Sequence, residues 1–194
     1  MKKVLATTAL AFSLIGLTGC MNSTPNFDQC KIDGVDAPSW VCDGGATMEG
    51  GLFAVGSAAP NPLGIGFQRT EATAAARDAL ARQISVKVKN MFKQFQATTG
   101  IGDDQTAEKV TQNVSKQVTY QTLNKSKIIK VWMSPKKTLY VLIKMPDSKT
   151  IKQEVKKTIK TTLHNEQSLW QEFKSKKADA ELEAAVDKEF GGNN

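Results

Sequence analysis

The chain has 194 residues, 40% hydrophobic and 23% charged, with a formal net charge of +7. That length supports one domain with a real core and argues against two. A basic balance of this size points to a polyanion, but an export signal at the start of the chain excludes nucleic acid and leaves anionic lipid, lipopolysaccharide or cell wall.

Lys2 and Lys3 precede the apolar run VLATTALAFSLIGL, which is too short for a mature membrane span and has no stop-transfer flank. Residues 1–19 read as a secretory signal peptide. The following Leu17-Thr18-Gly19-Cys20 resembles the bacterial lipobox, which implies cleavage before Cys20 and lipidation of that cysteine, with palmitate-type acyl chains on its thiol and amine. Each buried methylene adds about 0.8 kcal/mol, so several chains on one residue give a strong membrane anchor. Met21 stands where the inner-membrane retention signal has Asp. By resemblance to enteric sorting rules, the destination is the outer membrane, on its periplasmic face.

Residues 20–36 read as a lipidated tether, polar and without periodicity at its start. Within CKIDGVDAPSWVC, Cys30 and Cys42 close a short turn-rich loop. In an oxidising compartment this pair forms a disulfide, which contributes roughly 3 kcal/mol in the chain-entropy model. A zinc site is disfavoured because the only histidine is His164, and the cysteine spacing is far from that of a redox C-x-x-C. The folded part begins near APSWV, where Pro38 favours an extended segment and Trp40 and Val41 offer apolar side chains to the core.

After the Gly-rich turn DGGATMEGG, the run LFAVGSA reads as a short buried strand and APNPLGIGFQ as a loop. GIG at Gly64–Gly66 lacks the third glycine of a dinucleotide loop and reads as a turn. From Thr70 to Phe95 the Ala-rich start gives high helix propensity, and Leu80, Ile84, Val88, Met91, Phe92 and Phe95 form one apolar stripe. Gly100 and Gly102 break that helix. Asp104 can cap a second one, in which Val110, Val114 and Val118 repeat every four residues.

SKIIKVWM, the turn SPKK and TLYVLIKM read as a β-hairpin. Alternation places Ile129, Val131 and Met133 with Leu139, Val141, Ile143 and Met145 on a face that belongs against the helices. The opposite face presents Ile128, Lys130, Trp132, Tyr140, Leu142 and Lys144, an aromatic and basic mixture. Two readings of that open face stand side by side: a binding surface, or a face covered by the C-terminal helix through Trp170 and Phe173.

Pro146 and Asp147 end the hairpin and start a helix with Ile151, Val155, Ile159 and Leu163 at intervals of four. Leu169 to Phe190 reads as a further helical stretch that packs on one face. The fold class is therefore α+β, helices packed on a small antiparallel sheet, with a helical C-terminal extension over residues 165–194. Residues 125–160 hold eleven lysines against Asp147 and Glu154, whereas residues 161–194 hold four lysines against seven acids. These regions are either two separately solvated faces or a docking pair, within one chain or between subunits.

The lipobox, APSWV, LFAVGSA, ATAAARDALARQI and the hairpin KIIKVWMSPKKTLYVLIKM, in this order, resemble the Lpp-twenty family of small bacterial lipoproteins, which includes the flagellar outer-membrane lipoprotein FlgP. The resemblance covers an α+β domain of residues 37–164. It implies an exported, membrane-anchored, non-enzymatic protein, some of whose relatives build or stabilise the outer parts of the flagellar motor.

No catalytic residues, metal ligands or cofactor site emerge from the residues themselves. His164 lies on a Lys- and Thr-rich helix end and reads as a surface histidine, and no G-x-S-x-G is present. Asp103 and Asp104 read as capping residues. Lys130, Trp132, Tyr140 and Lys144 are the candidate interface. Two functions follow: a structural or assembly component, homo-oligomeric or joined to flagellar and other envelope proteins, or a binding module that contacts peptidoglycan or activates a cell-wall synthase.

Overall fold

The computed structural model describes residues 30–145 and 147–191. The expected signal peptide, the expected lipidation site Cys20 and Pro146 lie outside the described residues. The elements run β1 (Lys31–Ile32), β2 (Val35–Asp36), α1 (Ser39–Asp43), β3 (Phe53–Ala58), α2 (Ile65–Thr99), α3 (Asp104–Asn124), β4 (Lys127–Met133), β5 (Leu139–Lys144), α4 (Ser148–Asn165), α5 (Gln167–Ser175) and α6 (Asp179–Phe190). The architecture is α+β: a three-stranded antiparallel sheet, ordered β3-β5-β4, lies under the helices, and β1 and β2 form a separate small hairpin.

The sheet and the long helix meet at small residues. Gly56 in β3 lies directly beneath α2, and a methyl group there would sit 2.1 Å from the Ala72 carbonyl oxygen and 2.3 Å from the Ala76 amide nitrogen. Ala72 and Ala76 are fully buried, and Ala54 and Ala58 flank the glycine on the same strand. Below this contact the α2 stripe widens to Leu80, Ile84, Val88, Met91, Phe92 and Phe95, all in the core. Side-chain amides tie the two elements together: Gln83 Nε2 donates to the Phe53 carbonyl at 3.0 Å, and buried Gln68 Nε2 donates to the Ala58 carbonyl at 2.9 Å.

Helix α2 is longer than its periodic part. It starts at Ile65 rather than Thr70, because Gly64 (φ 92°) makes the sharp entry and Asn61 Oδ1 accepts the Leu63 amide proton at 2.9 Å. Gly66 thus belongs to the helix and not to a turn. At the other end Gly100 adopts φ 62° and its amide bonds the Gln96 carbonyl, a left-handed glycine stop. Helix α3 begins at Asp104 and buries Val110, Val114 and Val118. Asp147 caps α4 by accepting from the Thr150 amide at 2.9 Å.

The residues beyond Leu163 join the same core. A turn at Lys176–Ala178 separates α5 from α6, with Lys177 at φ 49°. Phe173 reaches Phe95 of α2, ring centroids 6.2 Å apart, and Leu182, Ala185, Val186 and Phe190 are buried. The lysine-rich and acid-rich stretches meet within the chain: Lys152 pairs with Asp187 at 3.1 Å, Lys156 with Glu183 and Lys160 with Asp179. One turn apart on each helix, these pairs zip α4 to α6. Partly exposed pairs of this kind contribute at most about 1 kcal/mol each, so they set register more than stability.

Because a Cβ at Gly56 overlaps backbone atoms that cannot swing aside, Gly56→Ala is expected to cost about 3 kcal/mol or more. Gly66→Ala, with open space around the new methyl group and a helical backbone, is expected to gain a few tenths to 1 kcal/mol. Urea unfolding of both variants checks the contrast.

Candidate functional site

The open face of the sheet is built in three cross-strand rows. Pairing sets Ser57, Tyr140 and Trp132 side by side, then Val55, Leu142 and Lys130, then Phe53, Lys144 and Lys127. All four candidate residues, Lys130, Trp132, Tyr140 and Lys144, thus lie on one face, as alternation requires. Trp132 and Tyr140 pack with ring centroids 5.5 Å apart, both half-buried. Lys130 is exposed, whereas the Lys144 stem runs against Gly51 and its Nζ lies 5.4 Å over the Phe53 ring.

The C-terminal helices do not cover this face. Trp170 and Phe173 stack on each other at 5.4 Å and pack in the helical layer instead, and exposed His164 lies 5.1 Å from the Trp170 ring. The cover comes from the N-terminal side: Trp40, only 6% exposed, packs on Phe53 and Leu142, with Val41 and Met48 beside it. APSWV is therefore a helix start and not an extended segment. Pro38 (φ −57°, ψ 138°) precedes α1, and Gly44 (φ 65°) ends it. The proline before and the glycine after this stretch carried that signal.

Two devices hold α1 in place. The sulfurs of Cys30 and Cys42 lie at bonding distance, with Cα atoms 6.1 Å apart. Asp33 and Gly34, both at positive φ, make the tight turn of the β1–β2 hairpin. At its tip the Asp33 carboxylate accepts from the Ser134 hydroxyl and from the Lys136 amide, and Lys136 Nζ lies 3.9 Å away. The Ser134 hydrogen bond, helped by the Lys136 amide and ammonium, holds the Asp33 carboxyl below its ordinary value against a smaller opposing desolvation. This clasp joins the loop to the β4–β5 turn. The Asp-Gly dipeptide marks the turn in sequence, but its distant partner leaves no local trace.

Strand β4 departs from its expected pattern. Ile129, Val131 and Met133, expected in the core, are each about 40% exposed, with Val131 at 45%. Val131 and Met133 do point to the helix side, paired with buried Val141 and Leu139. However, β4 is the outer strand, and α2 lies over β3 and β5. A bulge between Ile128 and Lys130 moves Ile128 to the helix side opposite Ile143, so it does not join the open face. The consequence is an edge strand whose outer rim pairs with no other strand among the described residues, with apolar side chains on one side and the Trp132–Tyr140 pair on the other. Between β4 and α2 an open groove of about 570 Å³ is lined by Thr73, Arg77, Leu123 and Ile128, among others.

Among the described residues, no group of three or more His, Cys, Asp or Glu is placed to hold a metal ion, and no helix is long and apolar enough to cross a membrane. The family model for LPP20 lipoprotein matches residues 38–146, more than half of the chain and everything from α1 through the hairpin. No curated protein matches the sequence.

Opening the disulfide with Cys42→Ser is expected to cost about 2–3 kcal/mol and to expose Trp40, read as a red shift in tryptophan emission. The Asp33 clasp has its own pH window. A depressed folded-state value means that its stabilisation is present above the ordinary aspartate range and is lost as pH falls through the folded value. Protection of the Lys136 amide, its exchange measured against the intrinsic rate at each pH, should therefore fall in acid, and Asp33→Gly, which removes the acceptor, should show that low protection already at neutral pH.

Proposed function

The chain belongs to the LPP20 lipoprotein family, and from that premise we propose that it is a non-catalytic outer-membrane lipoprotein, anchored by acylated Cys20 on the periplasmic side, that acts as an assembly component. The carrying observation is the β4 edge. A long exposed strand with a free rim and apolar flank invites pairing, and proteins ordinarily blunt such edges. Here Lys127 and Lys130 limit indiscriminate pairing, while Ile128, Val131, Met133 and the groove beside them remain available. We infer that another envelope protein, or a second copy of the chain, adds to this edge by strand pairing.

The flagellar motor is the assembly we propose, on the resemblance to flagellar members of the family. A cell-wall contact is the second reading, and the exposed side of Trp132 next to Lys130 favours it, since an aromatic ring beside a cation suits a sugar polymer. Lys144 contributes less to that reading because its stem is packed against Gly51.

Cys20→Ser should move the protein from the membrane fraction to the soluble periplasm. A deletion strain should lose swimming and an outer ring of the motor, and complementation with a Val131→Lys, Met133→Lys variant should fail although the variant folds and stays anchored. Normal swimming of the deletion strain contradicts the flagellar assignment and directs attention to wall binding, measured by co-sedimentation with purified peptidoglycan.

A further inference from the structure

The end of the molecule where the chain enters α2 carries an apolar surface that the assembly edge does not use. Leu63, Ile65 and Phe67 are 74%, 50% and 46% exposed, within a stretch, residues 58–68, that has no charged residue. Gln68 bonds the Lys137 carbonyl at 2.7 Å, which ties this stretch to the β4–β5 turn. The same turn holds Asp33, placing exposed Val35 at that end too. Lys136, Lys137 and Arg69 surround the patch, all exposed.

Chain length decides what faces this end. Cys30 is three residues from Asp33, hence within about 11 Å of the turn, and Cys20 is ten residues further back, a span of at most about 36 Å. Helix α2, with 35 residues, is about 52 Å long. An anchor at Cys20 therefore lets the Leu63 end reach the bilayer, whereas the Thr99 end lies beyond the reach of the tether. Burying exposed apolar side chains at the headgroup boundary is favourable, and lysine and arginine around them suit anionic lipid.

We propose that this end of the protein seats on the bilayer surface, with Leu63, Ile65 and Phe67 entering the headgroup layer and Lys136, Lys137 and Arg69 at lipid phosphates. The seat rests on the lipoprotein reading, because the anchor selects the end. It converts a tether into a fixed orientation in which α2 stands away from the membrane and β4 runs up from it.

The test uses the full lipidated protein in phosphatidylethanolamine–phosphatidylglycerol vesicles carrying a doxyl quencher in the acyl chains. A nitrobenzoxadiazole label is placed at Leu63→Cys after the Cys30–Cys42 bond has formed, and in a second protein at Val86→Cys. Val86 is also exposed, about 29 Å along α2 from Phe67. Quenching of at least twofold at position 63 and none at 86 is expected, and Phe67→Ser should reduce the quenching at 63 without changing the melting temperature. No quenching at 63 in protein that floats with the vesicles overturns the seat while leaving the anchor intact. Equal quenching at both positions means that the molecule lies flat and overturns the end-on placement. Protein that does not float overturns the lipoprotein reading, and the seat with it.

Discussion

Everything in this fold is arranged around the close approach of α2 to β3 at Gly56. With no side chain on the strand and only alanines on the helix, backbone meets backbone, and the helix axis is fixed over β3 and β5. That placement decides what is buried. Leu139 and Val141 of the central strand disappear beneath the helix, whereas their cross-strand partners Met133 and Val131 stay 39% and 45% exposed. One tight contact on one side of a narrow sheet thus leaves an apolar edge on the other.

The two ends of the chain divide the remaining work. The C-terminal helices complete the helical layer, closing on Phe95 through Phe173 and aligned by three lysine–carboxylate pairs between α4 and α6. The charge segregation seen along the sequence is thereby matched inside one chain. The N-terminal loop, closed by Cys30 and Cys42 and clasped by Asp33, covers part of the opposite face through Trp40.

Features with a local period were legible in the sequence. The α2 stripe repeats at helical spacing, and the hairpin alternates around a Pro-Lys-Lys corner, so their existence and the side that Val141 faces follow from pattern alone. What pattern does not carry is coverage. The same alternation that buries Val141 places Val131 on the helix side, yet only the strand order reveals that it sits on the outer strand, where it stays 45% exposed. The bulge at Ile129 likewise breaks the period without a residue that announces it. The sequence marks Trp40 as a docking side chain, but it offers Trp170 and Phe173 equally well for the face that Trp40 covers, because aromatic clusters far apart in sequence look equally able to fill one surface. The grouping of Lys130, Trp132, Tyr140 and Lys144 needed only the period of two, while the packing of Lys144 against Gly51 needed the fold.

An assembly role requires β4 to be an occupied edge in the envelope. The most direct measurement is site-specific photocrosslinking in living cells, with a photoreactive amino acid replacing Val131 in the full lipidated protein and, as the comparison, Lys89 on the solvent side of α2. A discrete adduct to one envelope protein or to a second copy from position 131, and none from position 89, is the predicted result. No adduct from position 131 in correctly anchored, folded protein would contradict the assembly role.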